Sequence, residues 1–179
     1  MKAGRENDRI VLSFALLEVE MLRRALSSII RNYRIKPAEI NPRVAGAWYS
    51  TRGCAAAGMT DEQTREWIET LHEMKTANLD ALRGWRRKLV PAPGKSARLE
   101  LTDEEAHTLM IALNDHRLMR AARYDLGEEE MNVRTLTQFM SLKPRRQAAL
   151  VEISFLAGII EAILALLPGN YGDWTVYAQ

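Results

Sequence analysis

The chain has 179 residues, 47% hydrophobic and 27% charged, which is one domain's worth and excludes wholesale disorder. Twenty-five Lys and Arg against 23 Asp and Glu leave +2, too near balance to declare a nucleic acid or membrane partner. A single cysteine excludes an internal disulfide and a cysteine-built zinc site, and points to a reducing, cytoplasmic setting with no structural staple; no cofactor is expected.

Residues 1–9 are polar and mixed in charge and read as a flexible N-terminal arm; Glu6 and Asp8 spoil the basic start of a signal peptide. Leu12, Ala15, Val19, Leu22, Leu26, Ile29 and Tyr33 then recur at three- and four-residue steps, the stripe of an amphipathic helix stopping near Ile35. Asn41 before Pro42 is an N-cap followed by a first-turn proline, opening a short helix to about Tyr49. Thr60 with Gln63 is a capping box that opens a long helix, with Trp67, Leu71, Met74, Asn78, Ala81, Trp85 and Leu89 as its inward stripe. A second box, Thr102 with Glu105, opens another helix to about Tyr124, broken at Leu126 and Gly127. A short helix around Arg134 to Ser141 follows, and Pro144 starts the most apolar helix, closed by Pro168 and Gly169. Residues 169–179 read as a tail packed on the domain, which spans 10–168.

Leu12–Leu26 can be laid over Leu99–Leu113 without a gap, each reading as an extended segment, a turn and a helix with Glu at its third position. Ile10–Phe14 and Arg98–Leu101 are therefore expected as short strands pairing with each other, since lone strands leave backbone groups unpaired. The predicted fold is all-α, a compact bundle of about five helices with a short two-stranded ribbon. The stretch from Ala148 to Leu167 is long enough for a bilayer, but Glu152 and Glu161 fall inside it, which favours a buried helix and no membrane partner.

Motifs with chemical meaning are few. Glu69 with His72, and Glu104 with His107, have the spacing used by di-iron bundles. Their helical phase sets them off the apolar stripes, so both pairs are expected to face water and no metal site is predicted. Gly94, Lys95 and Ser96 resemble the end of a phosphate-binding loop, but position 89 is Leu where that loop needs Gly. Asp115 and His116 are adjacent on a helix and do not face each other, and Cys54 has no partner base in sequence, so no catalytic residue is assigned. Between Ala81 and Leu99 there is no acid, while Arg83, Arg86, Arg87, Lys88, Lys95 and Arg98 form a basic patch that would suit phosphates.

Polar residues in apolar phase are more informative. Arg117 lies among Leu109, Met110, Leu113 and Tyr124, and Glu152 among Leu156, Ile159 and Ile163. An unpaired buried charge is prohibitive, so Arg117 and Glu152 are expected to meet, with Asn78 and Asn114 completing a polar network or ligand pocket. Ile111, Leu118 and Ala122 give that helix a second apolar strip, expected to be covered as well. On the last helix Ser154, Ala157, Gly158, Glu161 and Ala165 make a small-residue strip suited to another helix, within the chain or in a homodimer.

The segment LTDEEAHTLMIALNDHRLMRAARYDLG resembles the signature of an uncharacterised bacterial family, a domain of unknown function whose helix ends in an ALND-x-RL pattern. Ala112, Leu113, Asn114, Asp115, Arg117 and Leu118 carry the match, and LLEVEMLRRAL is similar to the family's first helix. The chain departs from it in a longer, more basic segment between Arg134 and Arg146. The resemblance implies no established activity; some members bear a transcriptional-regulator label, and some are encoded beside an adaptor of an ATP-dependent protease. The expected role is a non-catalytic interaction or regulatory protein with a protein partner or a second copy of itself. The alternatives are a DNA-associated regulator using the basic patch, and an anionic small-molecule binder or enzyme with Arg117 in its pocket.

Overall fold

The computed structural model describes residues 1–90, 97–131 and 135–168. It is mostly helical, with a three-stranded antiparallel sheet in the order β1 (Lys2–Glu6), β2 (Arg9–Phe14), β3 (Ala97–Leu101). The expected ribbon is the β2–β3 pair, in which Leu12 faces Leu99 and Ile10 faces Leu101. Their alternation buries Ile10, Leu12 and Phe14 with Ala97, Leu99 and Leu101 on one face.

The N-terminal segment expected as a flexible arm is instead the edge strand β1, pairing along β2 from Lys2 with Ser13 to Glu6 with Arg9. Its polar sequence carries no core signal. It is held by ladder hydrogen bonds and two cross-element ion pairs, Arg5 to Asp103 at 2.9 Å and Glu6 to Arg98 at 2.7 Å. Asn7 and Asp8 make the hairpin turn with positive φ of 46° and 60°, a conformation that Asn and Asp tolerate.

The long helices follow the capping signals. They are α1 (Leu16–Asn32), α4 (Asp61–Ala77), α5 (Leu79–Lys88), α6 (Asp103–Tyr124) and α9 (Pro144–Leu164); shorter turns are α2 (Pro42–Trp48), α3 (Arg52–Ala56), α7 (Glu128–Met131) and α8 (Leu136–Ser141). The Thr60, Thr102 and Thr135 hydroxyls each accept from the third amide of the helix that follows. Asn41 caps α2 by accepting from the Arg43 amide at 3.0 Å. The helix expected to run from Thr60 to Leu89 breaks at Asn78, which ends α4 and starts α5. The residues 169–179 expected as a packed tail lie outside the described residues.

The core lies between the inner face of the sheet, α1, α5, α6 and α9, around Phe14, Leu22, Leu26, Leu82, Trp85, Leu109 and Leu156. The α6–α9 pair is the most extensive helix contact. By length and composition α9 is apolar enough to cross a membrane; here Ala149, Leu150, Ile153, Leu156, Ile159 and Ile163 are buried in the protein. Its small-residue strip is turned outward, with Ser154, Glu161 and Ala165 exposed.

α4 is the exception. It buries no side chain completely, and Trp67 and Met74 of its expected inward stripe are 43% and 62% exposed. The face turned to the protein is instead Ile68, Leu71, His72 and Lys75, about a quarter turn away.

Candidate functional site

The expected Arg117–Glu152 pair does not form. Glu152 accepts from His116 Nε2 at 2.7 Å and pairs with Arg120 at 2.8 Å. Burial alone would raise the Glu152 carboxyl, but the His116 hydrogen bond and the Arg120 charge reverse this and hold it below its ordinary value. Arg117 lies half-buried at the flank, where among the described residues it donates to the exposed Asn114 at 3.4 Å. Asn78 is at the α4–α5 junction and is not part of the network.

The physical reason is the true face of α6. Its buried residues are Ala106, Leu109, Ala112, Leu113, Asp115, His116 and Met119, an arc centred about a quarter turn from the one the apolar spacing suggests. That rotation takes Arg117 out of the core and brings His116 and Arg120 in. It also exposes the second strip, with Ile111 56% and Leu118 39% accessible.

Asp115 and His116 lie about 100° apart around α6 and meet different elements: His116 turns to α9, Asp115 to α1, α2 and α4. The Tyr33 hydroxyl donates to Asp115 Oδ2 at 2.5 Å, and Lys75 donates to the same oxygen at 2.5 Å. Trp48 Nε1 donates to the Asp115 carbonyl at 2.7 Å. The Lys75 ammonium lies 5.7 Å from the Tyr33 and Trp48 ring centres and 5.9 Å from that of Tyr49, within reach of three cation–π contacts. Burial and the Asp115 charge push the Tyr33 phenol far above its ordinary range, so it stays a donor.

Beside this cluster is a cleft of about 780 Å³. One wall is α4, through Arg65, Ile68, Glu69 and His72; the other is residues 36–38 with Ala45 and Gly46 of α2; Tyr49 and Thr51 close the end. The Tyr49 hydroxyl is 3.1 Å from His72 Nδ1. Burial, then the Asp115 charge, push the Tyr49 phenol up to about 12, so it keeps its proton. His72, expected to face water, thus packs on Tyr49, while Glu69 is exposed at the cleft rim. His107, also expected in water, is half-buried, with Nδ1 2.8 Å from the Asp103 carbonyl.

The basic patch is partly neutralised. Arg83 pairs with Asp80 at 2.5 Å, and Arg98 with Glu6 and Glu100 at 2.7 and 3.0 Å. Arg86, Arg87 and Lys88 are exposed in the last turn of α5, where they suit the helix dipole. Lys95 and the phosphate-loop echo at Gly94 to Ser96 lie outside the described residues.

The cleft was not read from the sequence. Its walls come from consecutive elements between Lys36 and His72 whose packing no periodicity records, and the one available signal was the aromatic pair Trp48–Tyr49 ending a proline-started helix.

Comparison with protein-family models matches residues 55–167 to a domain of unknown function (DUF2017). No curated protein and no solved structure matches the chain. The matched span holds α4, Lys75, Asp115 and Glu152, whereas Tyr33, Trp48 and Tyr49 precede it.

Proposed function

The chain belongs to the DUF2017 family, a domain of unknown function, and on that premise we propose that it is a non-catalytic interaction or regulatory module that takes a ligand in the cleft beneath α4. The observation that carries this reading is the two-sidedness of α4. Its inner side walls the cleft through Ile68 and His72, and its outer side presents Trp67 and Met74 to solvent. The helix is tied to the body by polar contacts of His72 and Lys75 and by the partly buried Ile68 and Leu71, with no side chain fully buried. An element held this way changes position at modest cost, so occupancy of the cleft is coupled to what the outer face offers a partner.

The setting is the cytoplasm, as the single cysteine suggests, and the partner is a protein or a second copy of the chain. A pocket of this size with largely apolar walls and a few polar groups is the usual form of a small-molecule site. This moves the small-molecule reading from Arg117 to the α4 cleft. DNA binding is the weaker reading, because Arg83 and Arg98 are already paired with carboxylates.

The test is titration with Nile red, a neutral apolar dye. The expected result is one saturable site with a fluorescence gain, abolished by Ile68→Glu in a protein whose circular dichroism is unchanged. Dye binding that survives Ile68→Glu would place the apolar site elsewhere and reject the reading.

A further inference from the structure

The walls of the cleft carry an uneven set of charges. Lys36 and Arg65 stand on opposite walls, and neither has an ion-pair partner among the described residues. Against these cations the cleft has one carboxylate among the described residues, Glu69. Between them the surface is apolar, with Ile68 on one wall and the Tyr49 ring at the end.

Unpaired cations beside low-dielectric walls attract an anion more strongly than they would in open water. Apolar walls reward a hydrocarbon or aryl body. Glu69 disfavours a ligand with acidic groups at both ends. We infer that the cleft is a binding site for a small organic monoanion, with a carboxylate head between Lys36 and Arg65 and an apolar body lying along Ile68 toward Tyr49. This rests on the reading of the α4 cleft as a ligand site and adds the chemistry of what it takes.

The probes are octanoate, 1-octanol and octylamine, which share a body and differ in the head. Each is titrated into the full-length protein while the Ile68 methyl and the backbone amides of Ala45, Gly46 and His72 are followed by NMR. Octanoate is expected to move these signals saturably, at an affinity about tenfold or more above that of octanol, the worth of one or two charge-assisted contacts. Octylamine is expected to bind more weakly still. In Lys36→Gln/Arg65→Gln the octanoate advantage is expected to vanish while octanol binding stays; both side chains are exposed, so the variant keeps its core.

Octanol or octylamine binding as well as octanoate would overturn the anion assignment and leave the cleft reading standing. Silence of these signals with all three probes would overturn the assignment and the cleft reading together. An octanoate preference that survives in the double variant would place the head elsewhere and reject the roles given to Lys36 and Arg65.

Discussion

Lys75 in the last turn of α4 and Tyr33 at the end of α1 donate to one and the same oxygen of Asp115, each at 2.5 Å. The pair side chains of Lys75 and Asp115 are 12% and 9% exposed, so this is a charge pair shut away from solvent beside three aromatic rings. Removing one member leaves the other buried without its counter-charge. Lys75→Met is expected to cost about 3–5 kcal/mol, and Lys75→Met with Asp115→Asn less than the sum of the two single losses. Urea denaturation of the four proteins checks this, and strictly additive losses would show that the two side chains are not coupled.

α4 should open independently of the rest. It has no fully buried side chain, whereas α6 buries Ala106, Leu109, Ala112, Leu113, Asp115, His116 and Met119. Native-state hydrogen exchange is expected to show the α4 amides exchanging through local opening well before those of α6. Lys75→Met should widen that difference. Equal protection in both helices would remove α4 as a separable element and with it the coupling proposed above.

Glu152 gives a pH dependence of definite sign. Its carboxyl is depressed in the folded protein, so its contribution is fully present above the unfolded value of roughly 4.3 and is lost as pH falls through the lower folded value. The stability gap between wild type and Glu152→Gln, from denaturation between about pH 7 and about pH 3, should be constant at the upper end and close at the lower. A gap that persists to the acid limit would mean the carboxylate is not what His116 and Arg120 recognise.

Arg117 and Arg120 should part company. Arg120 pairs with Glu152 at 2.8 Å and lies 4.6 Å from the Tyr124 ring centre, whereas among the described residues Arg117 donates to Asn114 at 3.4 Å. Arg120→Met is expected to cost about 1–3 kcal/mol and Arg117→Met well under about 1 kcal/mol. The reverse order in thermal or urea melts would restore the pairing that helical spacing suggests.

What could be read in advance depended on where the signal was local. Capping boxes at Thr60 and Thr102, and the Asn41–Pro42 start, are written into four adjacent residues or fewer, and they marked helix starts correctly. The strands β2 and β3 emerged because two similar segments each needed a partner. Phase was harder. Apolar spacing marks a buried face only if that face is packed on apolar neighbours, and α4 meets the body through His72 and Lys75 as much as through Ile68 and Leu71, while leaving Trp67 and Met74 outside. α6 has apolar residues most of the way round, so its stripe can be drawn a quarter turn off; Glu152 does lie on the packed side of α9, but it meets His116 and Arg120 rather than Arg117. β1 was invisible because nothing in Lys2–Glu6 alternates, and backbone pairing is not recorded in side-chain type.

Both borders of the sheet are studded with ionic side chains: Lys2, Arg5 and Glu6 along one, Arg98 and Glu100 along the other. Strand addition at either border would have to strip water from these charges, and in parallel register would set identical ones side by side, so the sheet resists growing sideways into stacked assemblies. Crowded or heated solutions of this protein should therefore stay free of cross-β material so long as the hairpin is intact.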